Sequence, residues 1–218
     1  MKPLILINFK TYEVSSGNKA LRLAQLLAKV KTAHFDIAVM PSLLTTKEIA
    51  QQTKLMTFAQ HADRFGYGAH TGNVSPQELR DIGVAGVVLN HSEYKIPVRY
   101  LQEIVNSCRR NWLKTVVCAS SLPEAKEILG FKPDYLAYEP AELIGGNLSV
   151  TTADPKIIVQ VVKAAEKISP GTRVLCGAGV HSREDLMAAL GLGARGILLS
   201  HAIIQAENPK KLLERMVL

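Results

Sequence analysis

The feature that most constrains this chain is a repeated rhythm: short apolar runs alternate with longer segments whose apolar residues recur every three or four positions. Eight such pairs follow one another within 218 residues. The short runs are almost free of polar residues, as strands buried on both faces of a parallel sheet are. The predicted strands are 4–8, 37–40, 56–60, 86–90, 115–119, 135–138, 173–176 and 196–199.

The longer segments have the amphipathic period of helices. A residue able to cap a helix precedes four of them, followed by proline or an acidic first turn. These caps are Ser75, Asp154, Ser182 and Asn208. The predicted helices are 19–30, 46–52, 76–82, 97–111, 123–129, 155–168, 183–190 and 209–216.

Eight strand–helix units in 218 residues leave about 27 residues for each unit, which suits a minimal (β/α)₈ barrel. A doubly wound open sheet is the alternative that the same rhythm allows. No proline-rich, glycine-rich or low-complexity stretch interrupts the pattern. The sequence therefore predicts an α/β fold, a (β/α)₈ barrel, with residues 1–218 forming one domain.

Composition narrows the functional classes. The formal net charge is +7, but lysines and arginines are scattered singly or in pairs, unlike the basic blocks of nucleic-acid-binding arms. The three cysteines form neither a CxxC pair nor a disulfide framework, which indicates a reducing compartment. The apolar run near the N-terminus is too short for a signal peptide or a membrane span. We expect a cytoplasmic protein that binds neither nucleic acid nor membranes.

Side chains able to take part in catalysis or binding follow the predicted strands. The ligand of a parallel barrel binds at these carboxyl ends of the strands. The residues there supply an amine, an imidazole, a carboxylate and glycine turns whose amides can approach a phosphate. Each residue alone is weak evidence, because a lysine or histidine after a strand is usually structural. These residues are Asn8, Lys10, Asn90, His91, Ser92, Glu93, Tyr138, Glu139, Pro140, Gly177, Gly179, Ser200 and His201.

Four motifs carry a family resemblance: NFK at 8–10, NHSE at 90–93, AYEP at 137–140 and LIGG at 143–146. In this order and spacing, the chain resembles triosephosphate isomerases over essentially its whole length. HTGNVSP at 70–76 and CGAG at 176–179 are similar to the compact archaeal branch. The resemblance implies a TIM barrel that interconverts dihydroxyacetone phosphate and glyceraldehyde 3-phosphate through an enediolate, without a metal or cofactor.

The resemblance also implies a role for each site residue. Glu139 corresponds to the base, His91 to the acid that polarises the carbonyl, and Lys10 to the electrostatic anchor, the arrangement for which this family is a standard example. Asn8 corresponds to an asparagine that binds the substrate. Glu93 corresponds to a glutamate that neighbours the lysine and supports the site. The residues that hold the phosphate or close over the substrate are Ile144, Gly145, Gly179, Ser200 and His201, with 141–146 as the moving lid.

Two positions depart from the family pattern: Ser200 with His201 after the last strand, and the GGN ending of the lid at 145–147. A larger side chain that points away still leaves its backbone amide for the phosphate, whereas the His201 imidazole could add a contact of its own. Two rival functions stay open. One is another phosphate-binding barrel isomerase or an aldolase, which would need a Schiff-base lysine at Lys10 or Lys114. The other is a non-catalytic phosphometabolite-binding protein.

The glycine-rich segment 65–73 resembles the third loop of the family, which reaches into a neighbouring subunit near Lys10 and His91. The resemblance therefore implies a homodimer at least. Compact archaeal relatives are often tetramers, but the residues between 96 and 113 are too mixed in character to decide between the two states.

Overall fold

The structure, a computed structural model, describes residues 2–140 and 150–218. Eight parallel strands close into a barrel in chain order, with the last strand paired to the first. The strands are β1 Leu4–Asn8, β2 Asp36–Met40, β3 Met56–Ala59, β4 Gly86–Leu89, β5 Lys114–Ala119, β6 Tyr135–Tyr138, β7 Arg173–Cys176 and β8 Gly196–Leu199. The closed barrel confirms the predicted fold class and excludes the open sheet.

Each predicted helix is present, with bounds that shift by a few residues. The helices are α1 Gly17–Leu27, α2 Leu43–Gln52, α3 Pro76–Asp81, α4 Val98–Arg110, α5 Leu122–Leu129, α6 Val150–Ala153, α7 Pro155–Ile168, α8 Arg183–Gly191, α9 His201–Ile204 and α10 Pro209–Val217. The sequence did not predict α6 and α9, because a helix of four residues is too short to show a period. No helix within the described residues is long and apolar enough to cross a membrane.

The four predicted caps make their hydrogen bonds. Ser182 and Asp185 form a capping box, in which each side chain accepts a hydrogen bond from the other residue's backbone N–H. The remaining three caps accept from the residue three positions later, at the first turns of α3, α7 and α10. Such a cap typically contributes about 1 kcal/mol, so helix starts are well specified by the sequence.

The core has two layers that follow the alternation of side chains along the strands. One layer fills the barrel interior and includes Leu6, Phe58 and Leu175. The other layer packs the outside of the barrel against the helices and includes Ile7 and Val117. Because side chains fill the barrel, a ligand must bind at one end of it, outside the strand ends.

Candidate active site

A pocket opens at the carboxyl ends of the strands, and it collects residues from distant parts of the sequence. Eight of the predicted strand-end residues line it: Asn8, Lys10, His91, Glu139, Gly177, Gly179, Ser200 and His201. Glu93 lines an adjoining pocket with Lys10 and His91. Ile144, Gly145 and the predicted lid at 141–146 lie outside the described residues. Their roles stay predictions.

Glu139 follows β6 and is almost completely buried, with 5% of its side chain exposed. Its backbone N–H donates to the Ala119 carbonyl at 2.8 Å, so the residue continues the strand pairing into the pocket. Its Oε2 has no hydrogen-bond partner among the described residues. Burial raises the pKa of Glu139, against the opposing effects of His91, a hydrogen bond from Cys118, and Lys10. A buried carboxylate with a free oxygen is suited to accept a proton.

His91 faces this carboxylate from the segment after β4. Its Nε2 lies 3.8 Å from Glu139 Oε2, too far for a direct hydrogen bond. On the other side of the ring, Nδ1 accepts a hydrogen bond from the Glu93 backbone N–H at 3.2 Å. A neutral imidazole with an accepting Nδ1 carries its proton on Nε2. In that tautomer His91 presents an N–H donor to the pocket, beside the free oxygen of Glu139.

Lys10 supplies the positive charge at the end of β1. Its Nζ lies 2.6 Å from Glu93 Oε1, and 17% of its side chain is exposed. Its backbone has a φ of 48°, an unusual conformation for a residue with a side chain. Its N–H donates to Asn8 Oδ1 at 2.8 Å, and Gln60 Nε2 donates to its carbonyl at 3.1 Å. These two contacts fix the turn that aims the ammonium into the pocket.

The opposite wall is formed by the turns after β7 and β8. Gly179 has a φ of 66°, which glycine adopts without strain. Ser200 directly precedes α9, and His201 is the first residue of that helix. The Ser200 Oγ is buried without a hydrogen-bond partner among the described residues. This wall can offer backbone N–H groups and a hydroxyl to an anionic group of a ligand.

Three contacts of the site went unnoticed in the sequence. Gln60 Nε2 donates to Asn8 Oδ1 and to the Lys10 carbonyl, although the sequence marks Gln60 only as the last residue of a predicted strand. The Cys118 thiol, in the barrel interior, acts on Glu139 and lowers the pKa of its carboxyl. The sequence indicates only a turn at Gly177, but this glycine lies directly against the Glu139 side chain. Position at a strand end was the available signal for Gln60 and Gly177.

Lys114, one of two lysines considered for a Schiff base, is the first residue of β5. It lines a cavity with Trp112 and Lys132 at the amino ends of the strands, so it cannot reach the pocket. The other lysine, Lys10, is held in an ion pair. A closed barrel whose mouth holds a carboxylate, an N–H-donating imidazole and an ammonium defines a barrel enzyme that moves protons on a small anionic substrate.

Comparison with known proteins agrees with this class. A family model described as "Triosephosphate isomerase" matches residues 3–216. The chain belongs to the triosephosphate isomerase family. It is 35% identical to the triosephosphate isomerase of Methanocaldococcus jannaschii, over 98% of both chains. It is 37% identical to that of Methanosarcina acetivorans, over 99% of this chain and 97% of the relative.

Proposed function

We propose that this protein is a triosephosphate isomerase, which interconverts dihydroxyacetone phosphate and glyceraldehyde 3-phosphate in glycolysis and gluconeogenesis. One observation carries the proposal: the free Oε2 of Glu139 lies 3.8 Å from His91 Nε2 in the pocket that Lys10 also lines. A base and an acid at this separation can act on neighbouring atoms of one substrate.

In this mechanism Glu139 removes a proton from the carbon next to the substrate carbonyl. The electron pair of that C–H bond forms the enediolate, while the His91 Nε2–H stabilises the developing negative charge on oxygen. Glu139 then returns the proton to the adjacent carbon. His91 Nε2–H gives its proton to the former carbonyl oxygen and takes back the hydroxyl proton of the first carbon, so that ketose becomes aldose with every proton accounted for. Lys10 adds a fixed positive charge where negative charge develops and where the phosphate enters.

The substrate phosphate is held at the wall formed by Gly179, Ser200 and His201, with Gly145 as a further contact. Asn8 binds the substrate beside Lys10, Glu93 supports Lys10, and Ile144 closes over the substrate as the lid at 141–146 shuts out water. The hydrogen bond between Asn8 and the Lys10 backbone, and the ion pair between Glu93 and Lys10, support the first two roles.

Turnover in both directions tests the function. The purified protein, incubated with either triose phosphate, should form the other at a rate that a coupled assay follows. In D₂O the product should also gain deuterium at the carbon that exchanges its proton with the base. Binding without turnover would favour the non-catalytic phosphometabolite-binding alternative. Carbon–carbon bond formation between two trioses would favour an aldolase.

We also propose a homodimer, with a tetramer as the alternative, formed by single barrel domains spanning 1–218. Large apolar side chains exposed near the mouth support an interface there; they include Leu44 at 98% and Tyr67 at 62% exposure. Tyr67 lies in segment 65–73, the loop expected to reach a neighbouring subunit. Light scattering on the wild type and on Tyr67→Ser distinguishes monomer, dimer and tetramer.

The proposed setting is the cytoplasm, where the protein acts on a small phosphorylated triose and binds neither nucleic acid nor membranes. All three cysteines are buried free thiols, which suits a reducing compartment. The basic residues are scattered in the sequence, as on an ordinary solvated surface. Retention of activity in the membrane-free fraction of a cell lysate, after nuclease treatment, tests this setting.

A further inference from the structure

A hydrogen-bonded cluster outside the pocket holds the segment that carries His91 and Glu93. Its centre is Glu124, in the first turn of α5, with 25% of its side chain exposed. Asn90 Nδ2 and Lys95 Nζ each donate to Glu124 Oε1 at 2.8 Å. The backbone N–H and the hydroxyl of Ser120 each donate to Oε2, also at 2.8 Å. One carboxylate thus accepts four hydrogen bonds.

Asn90 is the last residue before His91, and both polar atoms of its side chain are hydrogen-bonded. Its Nδ2 also donates to the Cys118 carbonyl at 2.9 Å, and its Oδ1 accepts from the Ile96 backbone N–H at 3.1 Å. Asn90 is 4% exposed and has a φ of 58°. A side-chain-bearing residue keeps this uncommon conformation only where surrounding contacts enforce it.

Glu124 therefore holds the segment 91–94 at both ends, through hydrogen bonds from Asn90 and Lys95. Asn90 precedes His91, and Lys95 follows two residues after Glu93. The bond from Ile96 to Asn90 closes the same segment into a ring. Within that ring, the Glu93 backbone N–H sets the tautomer of His91, and the Glu93 carboxylate pairs with Lys10. A shift of this segment would therefore move both His91 and Glu93, the ion-pair partner of Lys10.

We propose that Glu124 is a positioning residue for the isomerase reaction, which places His91 and Glu93 through Asn90 and Lys95. The inference rests on the proposed function, since it assigns to Glu124 an effect on that chemistry. Glu124 lies on a different strand–helix unit from the segment that it holds, so it ties the fifth unit of the barrel to the mouth.

The charge of Glu124 matters for this task. Burial alone would raise the pKa of its carboxyl, but hydrogen bonds from Lys95, Ser120 and Asn90 outweigh burial and lower the pKa to about 2. The carboxylate thus stays ionised wherever the enzyme is assayed. A glutamine of the same size cannot replace it, because its NH₂ group cannot accept a hydrogen bond. In one orientation the NH₂ group would face the donors of Ser120, and in the other it would face those of Asn90 and Lys95.

The test is Glu124→Gln, compared with the wild type in the coupled assay in both directions. We expect kcat to fall on the order of 10- to 100-fold, the usual effect of displacing a catalytic group by about 1 Å, with KM changed much less. Glu124→Asp, which keeps the charge on a shorter stem, should recover part of the loss. Glu127→Gln, an exposed glutamate on the same helix, is the matched control and should retain wild-type kcat.

A second variant keeps the proposal testable if Glu124→Gln fails to fold. Lys95→Met removes one link from a side chain that is 43% exposed, and should lower kcat by roughly 3- to 10-fold. The ¹⁵N NMR signals of the His91 ring should shift in both variants, which general destabilisation of a folded barrel would not cause. Folded variants with wild-type kcat and unshifted His91 signals would overturn the positioning role. A wild type without turnover would instead overturn the proposed function.

Discussion

Gly177 and Glu139 touch across the ends of β6 and β7. A β-carbon built on Gly177 would lie 2.3 Å from Glu139 Cγ and 2.9 Å from its Oε1. Real carbon atoms do not approach this closely, so any other residue at 177 must displace the proposed base. The glycine therefore determines where the carboxylate lies, besides shaping the turn after β7.

Gly177→Ala should therefore impair catalysis more than folding. Because the glutamate side chain is flexible, we expect it to move aside, with a loss in kcat/KM on the order of 100-fold. Gly171→Ala is the control, since a β-carbon there meets nothing within 4 Å. Steady-state kinetics and thermal melts of both variants measure the two effects. Wild-type kcat/KM in Gly177→Ala would show that Glu139 does not need its observed position.

The length of the Glu139 side chain should matter as much as its charge. Glu139→Asp keeps the carboxylate but withdraws it by one methylene from the free position near His91 Nε2. A displacement near 1 Å costs on the order of 100-fold in rate, and we expect a fall of that size in kcat. Circular dichroism checks that the fold is kept. Full activity in this variant would contradict the assigned base.

The pH profile should report the raised pKa of Glu139. Only the ionised carboxylate can remove a proton, so kcat/KM should fall as the pH drops through that pKa. Burial is the main cause of the shift, and we expect the midpoint of the acidic limb above the ordinary value of 4.5. A profile that stays flat below this value would contradict the buried base.

Removing Lys10 should move the acidic limb of the kcat/KM profile to higher pH. The charge of Lys10 lowers the pKa of Glu139, although less than burial raises it. In Lys10→Met the midpoint should therefore rise, together with a fall in kcat/KM on the order of 100-fold or more from lost charge stabilisation. Lys19→Met is the control, because Lys19 pairs with Glu13 and has 54% of its side chain exposed. An unmoved midpoint would mean that Lys10 exerts no field at the carboxylate.

The sequence predicted the barrel because buried parallel strands and amphipathic helices each carry a period, and eight of each leave few topologies. It predicted the site because a parallel barrel brings all carboxyl strand ends together, whatever their separation in the chain. Lys10, His91 and Glu139 could thus be grouped without coordinates. The grouping required only the position at which each strand ends.

Contacts between side chains of different strand–helix units could not be predicted in this way. Glu124 is one of several glutamates in amphipathic helices, and its sequence position gives no sign that it meets Asn90. The contact exists because β4 and β5 pair in a particular register and Asn90 adopts a left-handed backbone. The two short helices, α6 and α9, were missed for the related reason that four residues cannot display a period.

The buried charge of Glu139 should cost stability. Its folded pKa is raised above the unfolded value, so its contribution favours folding below the ordinary pKa and is lost as the pH rises through the folded pKa. Glu139→Gln removes this penalty at neutral pH, where we expect unfolding to require about 0.5–2 kcal/mol more than in the wild type, a range usual for stabilising substitutions. Urea unfolding at pH 7 and pH 4 measures the difference. The gain should shrink at the lower pH, and an inactive variant that is less stable at pH 7 would contradict the penalty.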